Sequence, residues 1–149
     1  MLTHLGKTGF TLIELLIVIT IIAILVSISI PIMRLQHEKA KLAEVISSMG
    51  SVSTSLYHYY EDYNYFPSIN DGVGILNTLG VGVPFGMSNS RIASIRIQNG
   101  SIICTLNNIS SKADGEELIL VPTTDATTGV ILWNWDGSAG LPKSLLPIK

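Results

Sequence analysis

From Leu15 to Met33 the chain carries no ionisable side chain, and the last charge before that run is the single carboxylate of Glu14. A stretch this apolar needs cover from lipid or from protein. Phe10 to Met33 is 24 residues. As a helix it would run about 36 Å, more than the roughly 30 Å of a bilayer's hydrocarbon core. Thr20, Ser27 and Ser29 do not forbid insertion, because hydroxyls can bond to carbonyls one turn earlier. A charge at the head of such a span costs free energy, so Glu14 is expected to have a partner and a task.

The rest of the chain reads as one domain of ordinary polarity. At 149 residues the whole has only 13% charged residues, against about 25% in typical domains, and the deficit is concentrated in the span. A net charge of −2 gives no basic footprint for nucleic acid. Cys104 is the only cysteine, so no intrachain disulfide can form. Lys7 and His4 precede the span, and the positive-inside tendency places the N-terminus in the cytoplasm and the remaining chain outside. Arg34, Lys39 and Lys41, on the far side, oppose that orientation. A secretory signal peptide is a competing explanation, but its apolar region runs only roughly 7–15 residues before a small-residue cleavage site. Here Ser27 and Ser29 lead straight into Ile30-Pro31. A plain signal anchor explains the length and leaves Glu14 unexplained.

The run Lys7-Thr8-Gly9-Phe10-Thr11-Leu12-Ile13-Glu14 resembles the processing and methylation motif of type IV pilins and the related type II secretion pseudopilins. The resemblance implies a peptidase that cuts after Gly9 on the cytoplasmic side and methylates Phe10. It implies a cleaved leader over 1–9, a transmembrane and assembly helix over 10–33, and Glu14 with Thr11 as the residues that set assembly register. The implied partners are further copies in a helical filament, the prepilin peptidase/methyltransferase, the inner membrane before assembly, and an inner-membrane platform with an ATPase. A minor pilin and a pseudopilin are alternatives within the family. The resemblance also implies that roughly residues 23 to 31 lose helical bonding on assembly, with Pro31 as the helix break.

The chemistry of the motif stands without the family. Cleavage creates an ammonium group at Phe10, one helical turn from Glu14. The carboxylate can pair with its own chain's amine and its own helix end. It can instead pair with a neighbouring subunit's amine, which would fix axial register between identical helices. Pro31 removes one backbone hydrogen bond and crowds the carbonyl of Ser27.

After Pro31 the pattern becomes amphipathic. Leu35, Leu42, Met49, Leu56 and Tyr63 recur every seven residues, with Val45, Val52 and Tyr59 beside them. This predicts that one helix continues from the span, over 34–63, into a head comprising 64–149. A two-stranded coiled coil competes, but the strands that follow need a partner for their apolar face. The expected fold class is α+β: a long N-terminal helix packed on a four-stranded antiparallel sheet. A loop is expected over 64–90, with a short helix near Ile75–Leu79. The sheet is expected over 91–135, with strands at 91–98, 101–107, 117–121 and 130–135. Asn99-Gly100 is a hairpin turn signal. Ala93, Ile95 and Ile97 are expected on one face, and Pro122 is expected to end the third strand. Trp133, Trp135 and Leu146 are expected to hold the tail, 136–149, where related pilins often have a disulfide.

Tyr57, Tyr59, Tyr60, Tyr63, Tyr65 and Phe66 form a dense aromatic cluster. Packing at the helix–loop junction is one explanation; charge transport or stacking with ligands is another. No enzyme is expected, no cofactor and no metal: the three histidines are scattered and no phosphate-binding loop is present. Asn99-Gly100-Ser101 and Asn108-Ile109-Ser110 match the glycosylation pattern. A membrane-anchored ligand- or DNA-binding module is the alternative from another class. Its basic residues would be Arg91, Arg96, Lys112, Lys143 and Lys149.

Overall fold

A computed structural model gives helix α1 over Leu12–Tyr63, α2 over Gly72–Leu79, and strands β1 over Ile92–Gln98, β2 over Ser101–Leu106, β3 over Glu117–Thr124 and β4 over Ile131–Gly137. The structure describes residues 9–84, 90–125, 127 and 129–147. The expected leader, 1–9, lies outside the described residues apart from Gly9, as do His4, Lys7 and Lys149. The chain divides into two compact units, Met1–His37 and Glu38–Lys149.

In the first unit the helix runs through Pro31 without interruption. One missing N–H leaves the flanking i→i−4 bonds in place, so no break exists at residues 23–31 in the chain on its own. The large apolar residues from Phe10 to Met33 are all between 45% and 89% exposed.

In the second unit the seven-residue stripe is buried in its middle. Leu42, Val45, Met49, Val52 and Leu56 are at most 1% exposed, while Tyr63 is exposed; Leu35, in the first unit, is half-buried. The helix ends at Asn64, which takes the left-handed conformation (φ 58°) and donates its N–H to the Tyr60 carbonyl at 2.8 Å.

The four strands form an antiparallel meander in the order β1-β2-β3-β4, so the α+β architecture is the expected one. Asn99 and Gly100 form the β1–β2 turn with φ of 51° and 80°. Gly100 is required for space as well, since a Cβ there would lie 2.7 Å from the Phe66 ring and 3.0 Å from Pro122 Cγ. Ile95, Ile97, Ile102, Cys104, Leu106, Leu118 and Leu120 form the buried face. Two ties bind the helix to the loops beside the sheet. Lys41 Nζ donates to the Ile109 carbonyl at 3.1 Å, and Arg91 pairs with Glu44 at 3.5 Å.

Four expectations need correction. Ala93 is exposed and Ile92 is buried in its place. The register advances two residues on β1 for one on β2 between Ile92 and Ser94, and this bulge turns Ala93 away from the core. Pro122 does not end β3. Pairing with β2 stops at Leu120, while pairing with β4 continues to Thr124, so the proline sits where the strand has a single neighbour. Strand β4 runs on through Asp136-Gly137, opposite Ile119 and Leu118. The tail's anchors are Leu141 and Leu145, 5% and 3% exposed, whereas Trp133, Trp135 and Leu146 are only half-buried. Leu141 closes on Gly137, where a Cβ would lie 2.8 Å from its Cδ2.

Candidate assembly site

Thr11 and Glu14 form a reciprocal helix cap. The Glu14 side chain turns back so that its Oε2 accepts from the Thr11 backbone N–H at 2.9 Å and from the Thr11 hydroxyl at 2.7 Å. The Glu14 N–H in turn donates to Thr11 Oγ1 at 3.3 Å. The first intrahelical bond follows, from the Leu15 N–H to the Thr11 carbonyl at 3.2 Å. Two N-terminal donors that a helix start leaves orphaned are thus satisfied within the chain. The sequence carries a signal for this cap, the Thr-x-x-Glu spacing ahead of an apolar run, beyond the register role expected of Thr11 and Glu14.

Both side-chain bonds to Glu14 fall on one oxygen. Among the described residues no hydrogen bond reaches Oε1. The carboxylate therefore caps its own helix with one oxygen and presents the other outward. Phe10 is 79% exposed beside it, and nothing lies within 4 Å of where a Cβ on Gly9 would stand, so the Gly9–Phe10 bond is open to approach.

The span below the cap presents an apolar surface whose few polar atoms are internally bonded. The hydroxyls of Thr20, Ser27 and Ser29 donate to the carbonyls of Leu16, Ile24 and Leu25 at 2.7, 2.7 and 2.9 Å. The helix is long and apolar enough to cross a membrane. Pro31 lies near its far end, about 25 Å along the helix from Glu14, and is not part of the cap.

Among its described residues the head has no comparable cap-and-span arrangement. Among the described residues no group of three or more His, Cys, Asp and Glu side chains could hold a metal ion. Cys104 is buried, and burial pushes its thiol up to about 12. Of the basic residues that a nucleic-acid surface would need, Arg91 is paired with Glu44 and Arg96 with Glu117, the latter at 2.9 Å.

A capped helix with an exposed apolar surface and a head built on a four-stranded antiparallel meander define the class of the protein as α+β. The comparisons place it. The family model of the prokaryotic N-terminal methylation motif matches residues 5–30, and the model described as pilin (bacterial filament) matches residues 39–149. The chain belongs to the type IV pilin family. It is similar to the fimbrial protein EcpC of Eikenella corrodens, with 30% identity over 143 residues covering 95% of this chain and 88% of that protein. It is similar to the type IV major pilin protein PilE of Neisseria gonorrhoeae, with 26% identity over 116 residues, 76% of this chain and 66% of PilE's length. It is also similar to the type II secretion system core protein G of Pectobacterium carotovorum subsp. carotovorum, with 36% identity over 72 residues, 48% of this chain and 46% of that protein. The pilin family is a family of structural proteins.

Proposed function

We propose that this chain is the precursor of a repeating pilus subunit, held in the inner membrane with its N-terminus in the cytoplasm. It is cut after Gly9 and methylated at Phe10. It then polymerises through the apolar helix into an extracellular filament, with an assembly platform and its ATPase supplying the energy. The observation that carries this reading is the division of labour within Glu14. One oxygen caps the chain's own helix, and the other faces outward for the Phe10 ammonium of a neighbouring subunit. Capping of the chain's own helix end and pairing with a neighbour's amine are compatible in this reading, while pairing with the chain's own Phe10 amine remains its competitor. Thr11 acts as a positioning residue that fixes the carboxylate's rotamer. Loosening of residues 23–31 around Pro31 would take place on entry into the filament.

A pseudopilin role is the second reading, favoured by the likeness to core protein G, which covers under half of the chain. The pilin match across residues 39–149 favours the pilus subunit. Mass spectrometry of sheared surface filaments tests the proposal. The expected result is an abundant chain beginning at N-methylated Phe10. An uncleaved chain confined to the membrane overturns it. Glu14→Ala is expected to lower filament yield at least tenfold while the precursor accumulates, and wild-type yield would refute the register role.

A further inference from the structure

The aromatic residues at the end of α1 fall into two groups with different surroundings. Tyr60 stacks on Phe66 with centroids 4.6 Å apart, and Phe66 closes on the Asn99-Gly100 turn. That pair packs the helix–loop junction. Tyr59, Tyr63 and Tyr65 form the other group. Tyr63 and Tyr65 are 60% and 54% exposed. Tyr59 lies 4.5 Å from Tyr63, nearly parallel, and 5.6 Å from Tyr65, edge to face. The Tyr59 and Tyr65 hydroxyls are 2.8 Å apart. This hydrogen bond, with partial burial adding to it, pushes the Tyr59 phenol up to about 12. The three rings thus brace one another, and packing alone does not need two of them facing outward.

Tyr59 and Tyr63 form one wall of a cleft of about 400 Å³ between the last turns of α1 and the C-terminal end of α2. Thr78 and Leu79 stand on the α2 side, and Ser55, His58 and Asp62 complete the lining. The volume is in the range of small-ligand sites, about 300–1,000 Å³. Among the described residues no Lys or Arg lines it. His58 Nδ1 is engaged with Glu61 at 3.3 Å. The Asp62 carboxylate and the Ser55 and Thr78 hydroxyls have no hydrogen bond or ion pair among the described residues. The cleft therefore joins a rigid aromatic face to one charged acceptor and two hydroxyls with unused donor and acceptor capacity.

We propose that this cleft binds a neutral hexose, the sugar's C–H face stacked on Tyr63 and its hydroxyls bonded to Asp62, Ser55 and Thr78. The electron-rich ring face attracts polarised C–H groups, and a carboxylate accepts strong hydrogen bonds from adjacent hydroxyls. A quaternary ammonium would use the rings and Asp62 but leave both hydroxyls unpaired. An anionic sugar would meet Asp62 with no cation in the lining. In a filament the cleft recurs with every subunit, so weak sites would combine into avidity; this last point rests on the proposed polymerisation, and the site itself does not.

The test uses the full chain in polyoxyethylene detergent micelles, which contain neither sugar nor ammonium, and so is independent of assembly. Saturation-transfer NMR is run with the methyl glycosides of glucose, galactose and mannose, and separately with choline chloride. Ring-proton signals are expected from at least one glycoside. They should fall at least tenfold in both Tyr63→Ala and Asp62→Asn and persist in Leu132→Ala, on an exposed position of β4. Tyr63 is exposed and Asp62→Asn preserves shape, so each variant should keep the wild-type far-ultraviolet dichroism. No glycoside signal from the wild type, signals unchanged in both variants, or a response to choline alone would each overturn the proposal.

Discussion

The two parts of α1 have the same secondary structure and opposite solvent relations. Between Phe10 and Met33 every large apolar side chain is at least 45% exposed, while between Leu42 and Leu56 the stripe is at most 1% exposed. Burying a Leu or Met side chain contributes about 1.5–3 kcal/mol. The head collects that within its own fold, and the span can collect it only from something outside the chain. The pattern of the residues sets this difference. A seven-residue stripe asks for one neighbour on one side, which the sheet provides; an apolar surface all round asks for cover on every side.

The sharpest challenge to this contrast is a matched pair of truncations. Leu56→Ala is expected to destabilise the head by about 2–5 kcal/mol, whereas Ile24→Ala should leave the head's melting temperature in detergent unchanged. Thermal unfolding followed by near-ultraviolet dichroism decides, and equal losses in both variants would erase the distinction. The second challenge lies at the hairpin, where the head is tightest. Gly100→Ala should cost about 1–3 kcal/mol, because the new methyl meets Phe66 and Pro122. A third, smaller effect concerns α2. The Asp71 side chain accepts from the Gly74 N–H at 2.6 Å, so Asp71→Ala should cost about 1 kcal/mol. Hydrogen exchange should show the loss confined to Gly72–Leu79. The smallest effect at neutral pH involves Cys104, whose folded thiol is pushed from 9.0 up to about 12. A raised folded value means its contribution is complete below pH 9 and is lost as the pH climbs toward 12. At pH 8 the thiol should react with iodoacetamide only after unfolding; fast labelling of the native chain would show that the head is less closed than described.

Much of this was legible in the sequence, and the misses share a cause. The buried stripe of α1 follows from residue spacing alone, as does the Asn99-Gly100 turn, because both depend on local periodicity and local φ. The bulge that displaces Ala93, the continuation of β3 past Pro122 and the anchoring of the tail by Leu141 and Leu145 all depend on how one segment sits against its neighbour, which the residue pattern within a single segment does not carry. A proline reads as a stop until it is known that one side of its strand has no neighbour. At the N-terminus the motif named Gly9, Phe10, Thr11 and Glu14. That the cap uses only one of the two carboxylate oxygens required coordinates.

The internally bonded hydroxyls of Thr20, Ser27 and Ser29 bear on how such a helix changes surroundings. Each donor is already satisfied by its own backbone, so in the proposed move from lipid into a bundle of like helices the turns that stay wound bring no hydroxyl that needs a new partner. The step resembles partitioning between two oils, with little free energy in either direction, since lipid tails are as apolar as leucine. Under the proposed assembly, the bias toward the filament would then fall to the one group for which the two phases differ, Glu14. A single carboxylate can act as the ratchet tooth of a movement that is otherwise nearly without friction.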